Sequence, residues 1–163
     1  MEGLDSSIAR GHTASPHLRP VTFELLHKAV ELAAAIGGQV SVLVAGKGAG
    51  AEADLLAAHG ADRVLLAEGD GFLAGTEAYT ALLADVIAAE QPGLVILPST
   101  VFGRDVAPRV AARLGLGLTG ECIDLTLDPE GRVLQHKPAF GGSVVALIAS
   151  RTQPEMATVR PGM

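Results

Sequence analysis

Tryptophan is absent from this 163-residue sequence, and aromatic residues make up only 3% of it. Alanine, leucine, valine and glycine dominate instead, a mixture suited to helices packed closely on a parallel sheet. A single cysteine, Cys122, excludes an internal disulfide, so a reducing compartment such as the bacterial cytoplasm is the simple reading. No apolar run approaches the roughly 18 residues needed to cross a membrane, so no membrane insertion is expected. Runs of lysine or arginine are also missing. With a formal net charge of −6, this argues against a nucleic-acid surface; the acidic balance mainly supports solubility.

Recognised catalytic patterns are missing too. No Gly-x-Ser-x-Gly elbow occurs. The stretch Gly46-Lys47-Gly48-Ala49-Gly50 lacks the Gly-Lys-Ser/Thr ending of a phosphate loop and the full glycine spacing of a dinucleotide fingerprint. As a turn between strand and helix it needs no ligand. His12, His17, His27, His59 and His136 are scattered, with no helical metal spacing, so no metal is expected. Cys122 lies in a strand-like segment and reads as a buried, inert thiol. The residues support no catalytic constellation, and the chain is not read as an enzyme.

What is present is a strong alternation of helix and strand. A helix starts near Thr22, which can cap it, and stops at Gly37-Gly38, with Leu25, Leu26, Ala29, Leu32, Ala33 and Ile36 on one face. Val40 to Ala45 reads as a strand, about Ala51 to His59 as a helix with Leu55 and Leu56 in the core, and Arg63 to Ala67 as a strand. Glu68 to Gly75 reads as loop. A helix from about Thr76 to Glu90 buries Tyr79, Leu82, Leu83, Val86 and Ile87.

The most informative stretch follows. Leu94-Val95-Ile96-Leu97 has the continuous aliphatic character of a strand buried on both faces. It breaks at Pro98 and offers Ser99, Thr100, Gly103 and Arg104, then continues as an amphipathic helix with Val106, Val110 and Leu114 in register. Such a corner lies where parallel α/β proteins dock ligands or partner domains. Two readings stand. In one, Ser99, Thr100, Gly103 and Arg104 cradle a phosphate. In the other, the hydroxyls cap the helix and Arg104 is solvated or paired with a partner subunit. Asp105, read in the first helical turn, suits the helix dipole and discourages a bound anion.

Beyond Leu114 the grammar changes. Thr119 to Leu127 partly alternates, Asp128-Pro129-Glu130-Gly131 is a turn, and Val133 to Lys137 returns as a hairpin arm. Ser143 to Ser150 is a strongly apolar strand and Met156 to Arg160 a shorter one. The fold expected is therefore α/β: three-layer, with a mostly parallel, helix-flanked, Rossmann-like sheet and antiparallel strand additions at the C-terminal end. Residues 18–163 read as one such domain. Residues 1–17, rich in Ser, Gly, His and Pro, read as disordered or atypical. They lack the apolar core of a secretory signal, and Glu2 and Asp5 count against a transit peptide. They also supply no strand ahead of the first helix, which the alternation would call for.

Three stretches together resemble the N-terminal domain of the electron transfer flavoprotein alpha subunit. They are Leu18-Arg19-Pro20-Val21-Thr22-Phe23-Glu24-Leu25-Leu26, the Leu97 to Leu116 segment, and Pro138-Ala139-Phe140-Gly141-Gly142-Ser143 with Met156-Ala157-Thr158-Val159-Arg160-Pro161-Gly162-Met163. The resemblance implies a heterodimer with a beta subunit and electrons passed from flavin dehydrogenases to a quinone oxidoreductase. It implies FAD held mainly on a C-terminal alpha domain, whose glycine-rich signature is not found in this sequence, and AMP held by the beta subunit. The domain seen here would then be a scaffold, with Ser99, Thr100, Phe102, Gly103, Arg104 and Arg109 serving structure and subunit contact. The competing expectation is a stand-alone adenine-nucleotide-binding α/β protein, with the phosphate on the Ser99 to Arg104 turn.

Overall fold

The computed structural model describes residues 18–69 and 75–162. The expectations for residues 1–17, and for most of the loop ahead of Thr76, lie outside the described residues. The chain divides into two compact units, one ending at Tyr79 and the other beginning at Thr80.

In the first unit, α1 (Pro20–Ile36) begins one residue after Arg19, with proline in its first turn where a missing N–H costs nothing. Thr22 is therefore inside the helix and buried, and does not cap it; the proline, not the hydroxyl, sets the start. Gly37 ends the helix at φ 69°, a left-handed conformation that glycine adopts without strain. Strands β1 (Ser41–Ala45) and β2 (Arg63–Ala67) pair in parallel, Ser41 opposite Arg63 and Ala45 opposite Ala67. Between them the chain makes a short 3₁₀ turn (Ala49–Glu52) and then α2 (Ala53–Ala58). Only Leu56 of the two expected core leucines is buried, because the short helix turns Leu55 outward. Leu26, Val40, Val42, Val44, Ala49, Leu56 and Ala61 form the core, with Phe23 and Val30 packed against it. Tyr79 donates its hydroxyl to the Ala45 carbonyl at 2.7 Å, which satisfies the end of β1.

Helix α3 (Thr76–Glu90) has the expected limits. It buries Tyr79, Thr80, Leu83, Ala84 and Ile87 but only half-covers Leu82 and Val86, so the inner face is rotated from the one the leucine and valine spacing suggested.

The second unit contains β3 (Leu94–Pro98), α4 (Val101–Leu114), β4 (Leu118–Cys122), β5 (Asp124–Leu127), β6 (Val133–Ala139), β7 (Val144–Ile148) and β8 (Glu155–Val159). Its parallel sheet has the order β3-β8-β4, so the last strand of the sequence lies in the middle. Every residue of β8 is buried, as a strand paired on both sides requires. Strands β5, β6 and β7 form a separate antiparallel sheet, the C-terminal addition expected from the sequence. The α/β class with parallel strands, helices and antiparallel C-terminal strands thus holds. Val144, Val145 and Leu147 of β7 are exposed, so this apolar strand is an uncovered edge. Asp128 closes the β5–β6 turn by accepting backbone N–H groups from Glu130 and Arg132. The Arg132 N–H contributes most to holding its carboxyl below the usual range.

Cys122 is fully buried at the end of β4, as expected, and burial pushes its thiol up to about 11 from an ordinary value of 9.0. Between those values the unfolded chain gives up a proton that the folded chain keeps, so stability falls as pH rises through that window. Native protein at about pH 8 should therefore resist iodoacetamide until denaturant is added. The urea midpoint should drop between roughly pH 8 and pH 10.5 more in the native sequence than in Cys122→Ala.

Candidate functional site

The corner after β3 is built from the carboxyl ends of its parallel sheet. Ser99 follows β3 directly, and its backbone N–H donates to the Val159 carbonyl at 2.7 Å. Its hydroxyl donates to Thr158 Oγ1 at 2.8 Å. Thr100 is the N-cap of α4, its Oγ1 accepting the Gly103 N–H at 3.1 Å while its carbonyl accepts the Arg104 N–H. Both hydroxyls are thus turned to internal partners.

Gly103 has a steric role. A Cβ built there would sit 1.9 Å from the Pro98 carbonyl oxygen, a backbone atom that cannot move aside. Only glycine lets the first turn of α4 close over the end of β3. Val106, Ala107, Val110 and Ala111 then bury the inner face of the helix, while Leu114 is half-buried. Pro108 stays inside the helix without ending it. Asp105 lies beyond the first turn, because the helix already starts at Val101. It accepts from Arg109 Nε at 2.9 Å, an i,i+4 pair on an exposed face.

Arg104 meets a residue the sequence did not suggest. Its Nη1 lies 3.6 Å from Glu121 Oε1, and the other carboxylate oxygen accepts from Arg160 Nε at 2.9 Å. Glu121 sits in a bulge of β4. Thr119 pairs with Ala157 and Cys122 with Val159, so one extra residue must be absorbed between them. The bulge holds Glu121 at φ 63°, a left-handed conformation costing a non-glycine residue on the order of 1 kcal/mol. Three contacts secure it: the Glu121 N–H donates to Thr158 Oγ1, Lys137 Nζ donates to the Gly120 carbonyl, and the Arg160 N–H donates to the Cys122 carbonyl.

Thr158 is therefore the junction, accepting from Ser99 on one side and Glu121 on the other. Glu121, Thr158 and Arg160 were missed by sequence reasoning, since Gly120 interrupting an alternating run is the sole local sign of a bulge. Ser99, Thr100, Gly103 and Arg104 do gather at one corner. The arrangement offers a phosphate poor terms, because the hydroxyls are committed and a carboxylate lies between the arginines. It fits a flavin pyrophosphate no better, for the same reason.

The other glycine-rich turn, Gly46 to Gly50, likewise receives an internal anion, Gly50 donating its N–H to Glu68 Oε1 at 2.9 Å. Among the described residues no group of three or more His, Cys, Asp or Glu side chains is placed to hold a metal ion. No described helix is long and apolar enough to cross a membrane.

A strand-to-helix corner at the carboxyl ends of a parallel sheet defines an α/β protein of Rossmann-like type. The chain belongs to the electron transfer flavoprotein family: the model described as electron transfer flavoprotein domain matches residues 10–163. It is similar to an electron transfer flavoprotein subunit alpha of Clostridium acetobutylicum, 39% identical over 150 residues. That match covers 90% of this chain and 44% of the relative. A lactate dehydrogenase (NAD(+),ferredoxin) subunit LctC of Acetobacterium woodii is 38% identical over 166 residues, covering 96% of this chain and 39% of that protein. Protein FixB of Rhizobium meliloti is 37% identical over 154 residues, covering 90% and 43%. The chain thus spans less than half the length of these relatives. Its likeness to alpha subunits and FixB proteins is that of an alpha-type N-terminal domain.

Two substitutions test the corner. Gly103→Ala should lower unfolding free energy by ~3 kcal/mol or more, read by urea denaturation, because the added methyl overlaps a backbone oxygen. Thr100→Ala should cost about 1 kcal/mol through loss of the cap, and Thr100→Ser should recover most of it.

Proposed function

We propose that this chain is the scaffold and docking domain of an electron transfer flavoprotein alpha subunit. It packs on a beta subunit in a complex that carries electrons from flavin dehydrogenases to a quinone oxidoreductase. The observation carrying this reading is the likeness to alpha subunits and FixB proteins over 90% of the chain, joined to a corner whose polar groups serve its own sheet. FAD, in this reading, is held by residues outside the matched region, and AMP by the beta subunit. When bound, FAD supplies the electron-carrying chemistry. Within each unit, the residues of this chain hold the helices and parallel strands in shape for the partner to grip.

The uncovered β7 edge, with Val144, Val145 and Leu147 exposed and no charged residue among them, is in keeping with a chain that works inside an assembly. Ser99, Thr100, Gly103 and Arg104 act structurally here, and Arg109 supports the outer face of α4 through Asp105.

The competing reading, a stand-alone adenine-nucleotide binder, predicts saturable binding of AMP or ATP at the corner. Calorimetry separates the two: the scaffold reading expects no binding heat at about millimolar nucleotide. Co-expression with a candidate beta subunit should yield a stable complex on size-exclusion chromatography. A chain that stays alone with every beta subunit tried, and takes up AMP, would sink the scaffold reading.

A further inference from the structure

Arg104 and Arg160 come from different elements, the first turn of α4 and the segment after β8, and both are about half exposed. Their guanidinium groups bracket one two-oxygen anion, the Glu121 carboxylate, with one arginine on each oxygen. We propose that Glu121 is a specificity-determining residue that fills this cation pair from within and so bars phosphate-bearing ligands from the corner. The inference rests on the scaffold reading and adds the residue that enforces it.

The physical case has three parts. First, two guanidinium groups flanking one position form an anion site by their geometry, and planar forks of this kind match carboxylate and phosphate alike. Second, the resident anion is tethered. Its backbone N–H is held by Thr158 Oγ1, and the bulge between Thr119 and Cys122 points the side chain at the arginines. A tethered carboxylate competes with any free anion without the entropy cost of association. Third, specificity against a ligand is obtained by placing a repulsive charge where the ligand would sit, and Glu121 does so between two arginines that would otherwise face a free anion. Glu121 Oε1 is buried without a hydrogen-bond partner and lies 3.6 Å from Arg104, so this side of the pair is the looser of the two. Arg104 is thus the arginine a competing anion engages first.

The test uses the full chain and inorganic phosphate. Glu121→Gly and Glu121→Gln are titrated at constant ionic strength against sodium chloride controls, following the arginine side-chain N–H signals by NMR and the heat by calorimetry. Glycine takes φ 63° without strain, and both arginines keep access to water, so Glu121→Gly retains the fold and carries the test even if the Gln variant melts early. The native sequence should show no saturable response up to roughly 20 mM phosphate, whereas the variants should bind at least about tenfold more tightly, a difference lost in Glu121→Gly/Arg160→Gln. If folded Glu121→Gly ignores phosphate, Glu121 is not a gate and this inference fails while the scaffold reading stands. If the native chain binds phosphate as well as the variants do, Glu121 bars nothing and the inference fails, while the scaffold reading is still decided by the beta-subunit and AMP experiments.

Discussion

The corner of this protein depends on one strand. β8 is last in the sequence yet central in its parallel sheet, paired with β3 on one side and β4 on the other. Its five residues are all buried, so their backbone groups must be satisfied by neighbours on both sides. Register across those pairings fixes where Ser99, Cys122 and Arg160 emerge at the carboxyl end. One threonine hydroxyl on that strand, Thr158 Oγ1, then ties the start of the α4 corner to the bulge in β4. None of these contacts is local in sequence: Ser99 and Thr158 are 59 residues apart, and Glu121 and Thr158 are 37 apart.

The same geometry explains how a family resemblance and an unpromising phosphate site coexist. A parallel sheet delivers its strand ends, and the helix that follows, to one place, and α/β proteins use that place for anions and nucleotides. Here the helix is capped by Thr100, its first turn is pressed onto β3 by Gly103, and the arginines face a carboxylate of the same chain. The polar groups of the corner bond to one another and to the sheet beneath them.

Much of the fold was legible in the residues because it rests on local chemistry. Helix α3 could be delimited from Thr76 to Glu90 by periodicity and the Pro92-Gly93 break, and β2 by its aliphatic run. Helix α4 runs on through Pro108 because Val106 and Val110 mark a continuous inner face, and tertiary burial outweighs one lost hydrogen bond. Local signals mislead where neighbours in space decide. Thr22 looked like a cap but lies buried inside α1, Leu55 looked like core but faces out, and Asp105 lies a turn deeper than its composition suggested. At the corner, Ser99, Thr100, Gly103 and Arg104 were visible as a polar break after an aliphatic strand. Their partners Glu121, Thr158 and Arg160 were not, since nothing in a strand's own residues says which strands will flank it.

By itself the sequence determined the α/β class, the order of helices and strands, the inert burial of Cys122 and the family resemblance, because apolar periodicity and turn chemistry act over a few residues. Only the tertiary structure decided that β8 lies in the middle of its sheet, that the bulge aims Glu121 between two arginines, and that the corner is filled from within. Those outcomes depend on strand order and register. They are set by which distant segments bury one another, and that is an energy shared by the whole unit instead of being held in any one stretch of residues.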